Sequence, residues 1–128
     1  MKITEPLRFN YEFARVYKRG VFTSGRCLVL HAFPRTSYIR RGRTPVPPEV
    51  NRLGVTGSRK IKGAVKRNRV KRLLRENYRL IEPELRGGYD LILMMKPLDP
   101  MPDYFQVKRE MKSLFKRSGL LKTGDSTR

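Results

Sequence analysis

Apolar residues recur along this chain in two rhythms, one of three to four and one of two, and the changes of rhythm divide it into elements. Residues 7–18 place Phe9, Phe13, Val16 and Tyr17 near one face of an amphipathic helix, and Gly20 is a natural stop. Arg26 to Phe33 reads as a strand. Leu28, Leu30 and Ala32 lie on one side, and Cys27, Val29, His31 and Phe33 on the other. Both sides carry apolar groups, as an interior strand does. A second strand is predicted over Arg52 to Ser58, and a third, the most apolar, over Tyr89 to Lys96.

Two longer helices complete the pattern. Over residues 63–81, Val70, Leu73, Leu74, Asn77 and Ile81 fall within about a third of the circumference. Ala64 and Val65 do not share that face, so either the regular helix starts later or those two pack elsewhere. Pro83 and Gly87-Gly88 end the element. Residues 103–117 form the last helix, with Tyr104, Val107, Met111, Leu114 and Phe115 toward the core. Residues 34–50, rich in Arg and Pro, read as a loop too long for a tight hairpin, and 118–128 as a polar, mobile tail. Residues 1–117 are therefore expected to form one α+β domain. Gly54-Val55-Thr56-Gly57 matches the GxxG pattern of some RNA-binding loops, but strand glycines that admit a close neighbour explain it better.

Charge changes the picture. The 128 residues hold 30 Lys and Arg against 11 Asp and Glu, a formal charge of +19. Arg59 to Arg79 alone contains ten Lys or Arg and one acid, Glu76. Such crowding is best tolerated where a polyanion neutralises it. Lys71, Arg75 and Arg79 form an i, i+4, i+8 line opposite the apolar face, rising roughly 6 Å per step. That is near the phosphate spacing of a nucleic-acid strand. Arg72 and Glu76 stand at the i, i+4 spacing of an ion pair. Asn68, between Arg67 and Arg69, offers both donors and acceptors for a base edge, a 2′-hydroxyl or a metal-bound water. Exposed aromatics of the first helix next to basic groups suit stacking on unpaired bases, although core packing alone would also explain them.

Catalytic chemistry is sparse by comparison. His31 is the single histidine and Cys27 the single cysteine, which leaves no zinc site, no paired imidazoles and no internal disulfide. Walker and dinucleotide motifs are absent. Asp90, Asp99 and Asp103 are the one acidic cluster near a strand end. With no apolar run near the roughly 20 residues that span a bilayer, and no apolar signal region at the start, a reducing cytoplasm and no membrane partner are expected.

At the block Arg67-Asn68-Arg69-Val70-Lys71-Arg72-Leu73-Leu74-Arg75-Glu76 the chain resembles the protein component of bacterial ribonuclease P. The resemblance extends in order through Tyr11-Glu12-Phe13, Leu28-Val29-Leu30, Leu53-Gly54-Val55, Ser58-Arg59-Lys60, Ala64-Val65 and Tyr89-Asp90-Leu91-Ile92. It implies a single-domain α/β sandwich in the order αβββαβα, with a left-handed crossover through the main helix, against the general rule. It also implies an accessory subunit that binds a catalytic RNA, while the RNA and Mg2+ remove 5′ leaders from precursor tRNA. No metal of its own and no protein oligomer are required. By position, Arg59, Lys60, Lys66, Arg67, Asn68, Arg69, Lys71, Arg72 and Arg75 would face the catalytic RNA. Phe13, Tyr17, Val29 and His31 would form the leader-binding cleft, and the protein would improve substrate and metal affinity. Gly57, Lys62 and His31 depart from the family pattern: a looser strand end, a changed turn and weaker stacking are expected there. From the residues alone, a ribosomal-type RNA binder and a protein-only nuclease stay open as other readings.

Overall fold

A computed structural model describes residues 4–7, 9–35, 39–41, 44–46, 50–98 and 100–122, with backbone alone for 39–41 and 44–46. Strand β1 (Thr4–Pro6) precedes helix α1 (Asn10–Arg19). There follow β2 (Val21–Ser24), β3 (Leu28–Pro34), a small hairpin of β4 (Ile39–Arg41) and β5 (Thr44–Val46), and β6 (Asn51–Gly57). Helix α2 (Ala64–Ile81) runs into a 3₁₀ turn (Glu82–Glu84), then β7 (Tyr89–Met95) and helix α3 (Tyr104–Arg117). The main sheet has the order β1-β6-β7-β3-β2, so β3 is interior, as its two apolar sides predict. Strands β6 and β7 are parallel neighbours joined through α2, and β3 runs antiparallel to β7. Removing β1 and the hairpin leaves the order αβββαβα.

Strand alternation divides the sheet into two faces. Leu28, Leu30, Ala32, Leu91, Leu93 and Met95 meet Val70, Leu74, Tyr78 and Ile81 of α2 and Val107, Met111, Leu114 and Phe115 of α3 in the main core. On the opposite face α1 sets Val16 over Ile92, with Leu7, Phe13 and Phe33 around them. Cys27 departs from the alternation expected of it. It lies just before β3, faces the main core, and donates its backbone N–H to Glu110 at 2.7 Å.

The helix ends follow from local chemistry. Asp103 caps α3 by accepting from the Gln106 N–H at 2.8 Å, while the Gln106 side chain accepts from Asp103 N–H at 2.8 Å. That reciprocal box stabilises the first turn by about 1 kcal/mol. Helix α2 starts from Gly63 at φ +92, a conformation that glycine adopts without strain. The glycine alone makes this turn, and Lys62 beside it is exposed.

Several expectations change. The first helix begins at residue 10, because Leu7 still donates to Leu53 O at 2.9 Å and prolongs the ladder of β1. The stretch 34–50 holds a hairpin rather than only loop, its turn lying outside the described residues. The domain does not end at residue 117. Leu120 and Leu121 are buried in the core and Arg86 N–H donates to Leu120 O at 2.8 Å; residues 123–128 lie outside the described residues. The regular helix starts at Ala64, later than residue 63 as the first alternative has it, and Ala64 and Val65 are its exposed first residues rather than packed elsewhere. Gly57 does not loosen β6. It is buried, and a Cβ there would stand 3.2 Å from Ile61 Cδ1.

Candidate nucleic-acid interface

Helix α2 divides as its sequence predicts. Its apolar side is buried, and Lys66, Asn68, Arg69, Arg72 and Arg75 are exposed on the other side, with Lys71 half-buried. Arg59 and Lys60 are exposed on the turn just upstream, which is closed by Ile61 N–H donating to Ser58 O at 2.9 Å. Among the described residues, none of these eight side chains makes an ion pair or a hydrogen bond. The Arg72–Glu76 pair that the spacing allows is not formed. The result is a line of cations with which no carboxylate among the described residues forms a pair.

Arg67 behaves differently. Its guanidinium is half-buried and turned back on its own chain, donating to Ser58 O at 2.9 Å, Ile61 O at 3.1 Å and Gly57 O at 3.3 Å. It fastens the first turn of α2 to the end of β6 and to the turn that carries Arg59 and Lys60. Part of its donor capacity is thus taken up by its own chain, unlike that of its exposed neighbours.

The second surface lies across the sheet. Gly54, Ile92 and His31 are register partners on β6, β7 and β3. Phe13 covers Gly54 closely enough that a Cβ would lie 2.5 Å from its ring, so the glycine admits the helix. One turn later, Tyr17 meets His31 edge-on at 4.9 Å. Helix α1 thus crosses the strands and brings Phe13, Tyr17 and His31 to one side. Burial lowers the His31 pKa and favours the neutral ring. Val29 is in the same row but is itself buried. Phe22, 5.8 Å from His31 and 62% exposed, joins this surface although the sequence reading passed it over; its strand is short and exposed, without clear alternation.

A buried ionic network holds α1 in place. Arg52 and Asp90 are register partners on β6 and β7. Arg52 Nε donates to Asp90 Oδ1 at 2.8 Å and Nη2 to Oδ2 at 2.7 Å, while Nη1 reaches Glu12 Oε2 on α1 at 2.6 Å. Arg35 and Arg15 lie 3.5 Å and 3.7 Å from the same aspartate, and Arg15 also covers the Phe33 ring at 5.7 Å. Burial by itself would lower the Arg52 pKa, but Asp90 and Glu12 outweigh it and hold the pKa above its ordinary value. The predicted acidic cluster is thereby divided: Asp90 is buried here, Asp103 caps α3, and Asp99 lies outside the described residues.

Cys27 is chemically quiet. Burial, together with a hydrogen bond to Glu110, pushes its thiol up to about 12. The GxxG stretch is part of β6, with both glycines buried, and forms no loop. Among the described residues no group of three His, Cys, Asp or Glu could hold a metal ion, and no helix is long and apolar enough to cross a membrane.

Fold and surfaces together define a small basic α+β domain of the RNA-binding kind. The family model for ribonuclease P matches residues 1–119. The chain is 40% identical over 114 residues to the ribonuclease P protein component of Clostridium perfringens, covering 89% of this chain and 88% of that one. A Clostridium botulinum protein component is 38% identical over 115 residues, covering 89% and 94%. The fold matches the Thermotoga maritima RNase P protein at a TM-score of 0.71, with 23% identity over 88% of this chain and 96% of that one. The chain belongs to the ribonuclease P protein family. It is accordingly an accessory subunit of an endoribonuclease that processes tRNA.

Proposed function

We propose that this protein grips the RNA subunit of ribonuclease P with the exposed side of α2 and holds the single-stranded 5′ leader of precursor tRNA against α1 and the sheet. The observation that carries this reading is the row Arg59, Lys60, Lys66, Asn68, Arg69, Lys71, Arg72 and Arg75, outward and without internal partners. Arginine forks and lysine point charges there suit phosphates, and Asn68 suits a base edge or a 2′-hydroxyl. Phe13, Tyr17 and His31, with Phe22 beside them, supply ring surface for unpaired bases. Val29 backs that surface from within.

In this reading the RNA subunit carries the chemistry with Mg2+. The protein raises substrate and metal affinity indirectly, by neutralising phosphate charge where the two RNAs meet. A monomer in the cytoplasm suffices. Reconstitution with the RNA subunit at low magnesium, using leader-bearing tRNA, tests it. Cleavage stimulated by the protein, and absent with protein alone, is expected. Cleavage by protein alone would turn the reading toward a protein-only nuclease. Binding to structured RNA with no preference for leader-bearing tRNA would turn it toward a ribosomal-type binder.

A further inference from the structure

A groove of about 370 Å³ opens between the edge strand β1 and the last turns of α2; it meets the cation row of α2 at Arg75 and lies away from the aromatic surface. Its size is within the range of small-molecule sites. Thr4 and Pro6 come from β1, Leu53 from β6, Tyr78 from α2, and Pro83 from the turn after it. The lining is mainly apolar, and the Tyr78 hydroxyl is tied to Thr4 Oγ1 at 2.8 Å, which fixes the strand against the helix. Arg75 and Arg79 are exposed at its edge, and they are the last two members of the i, i+4 line of cations on α2.

We propose that this groove takes one unpaired nucleobase from the RNA strand that α2 grips, with Arg75 and Arg79 on the flanking phosphates. The inference rests on the reading of α2 as an RNA-binding face. Three features favour a base over other occupants. Flat proline rings and a leucine offer contact to a planar, uncharged ring. Glu5 and Glu82 also line the groove, and carboxylates in the lining suit an uncharged ring there better than a phosphate. The rise of one helical turn between Arg75 and Arg79, roughly 6 Å, matches two phosphates on either side of a single nucleotide.

The test is a titration of the isotopically labelled full chain with cytidine 3′,5′-bisphosphate, followed by site-resolved NMR shifts. Shifts at Thr4, Leu53 and Tyr78 together with Arg75 and Arg79 are expected, with affinity at least fivefold weaker in Arg79→Ala. Ribose 5-phosphate, which lacks the base, is expected to move the two arginines and leave Leu53 and Tyr78 still. Equal responses to both compounds, or shifts confined to Val29 and His31, overturn the groove. A parallel titration with the RNA subunit separates the two readings. Perturbation of Arg69 and Lys71 without Leu53 or Tyr78 sinks the groove alone, and no perturbation along α2 sinks both.

Discussion

Arg52 and Arg69 carry the same side chain in one small domain, and their surroundings give them opposite work. Arg52 is fully buried between Asp90 and Glu12, with Nε, Nη1 and Nη2 all donating to carboxylates of its own chain. Arg69 is exposed on α2 and meets no acid. The fold buries Asp90 and Glu12 where α1 must be anchored, and pairs no carboxylate with Arg69 on α2. Arg67 stands between the two cases, solvated in part but spent on backbone carbonyls. An arginine's role is thus set by which acceptors the topology delivers to it.

Breaking the buried side of that comparison gives the largest effect. Arg52→Ala strands Asp90 and Glu12 without their main partner, a loss of about 3–5 kcal/mol. Chemical denaturation reads it directly, and an unchanged midpoint would refute the anchoring role. Arg67→Ala comes next. Three carbonyls lose the arginine as a donor, although Ser58 O keeps Ile61 N–H, and a loss of about 1–3 kcal/mol is expected, with weaker RNA binding through displaced Arg59 and Lys60. A variant that binds RNA poorly at unchanged stability would put Arg67 on the phosphates instead.

Arg69→Ala sharpens the open side. Thermal stability is expected to stay within about 0.5 kcal/mol of the parent. The log–log salt slope of binding to the RNA subunit is expected to shrink by roughly 0.7–0.9, the share of one phosphate. A slope that does not change places this side chain off the RNA.

The smallest effect concerns acid. His31 has a lowered pKa, so the folded domain binds its proton less readily than the unfolded chain. Its neutral form supports the fold above the ordinary value of 6.5, and that support is lost as pH falls through the lower folded value. In thermal melts without RNA, the parent is expected to lose more stability than His31→Phe over that interval. Parallel pH profiles would remove His31 as the cause.

Helices α2 and α3 and the strands of the sheet interior were legible because their apolar spacing is long and regular. The edges were not. Thr4–Pro6 and Val21–Ser24 are too short to show a period, and each forms only because a neighbouring strand offers it a ladder. The basic face was readable residue by residue, since surface charge needs no tertiary partner to be seen. The bonds of Arg67 were hidden for the converse reason: its acceptors are backbone carbonyls, and no side-chain code announces them. The Glu12–Arg52–Asp90 network was missed because it joins three elements far apart in sequence. An arginine opening an apolar strand was its one local trace.

The bare Cα of Gly54 has a consequence for how this molecule can vary. With the Phe13 ring resting where a methyl would be, strand and helix share one atom's worth of clearance. Alanine there would force the Phe13 ring aside, on the helix that also carries Tyr17 against His31 and Glu12 against Arg52. A single hydrogen therefore sets the aperture of one surface and the lock on another, so neither can drift without the other registering the change.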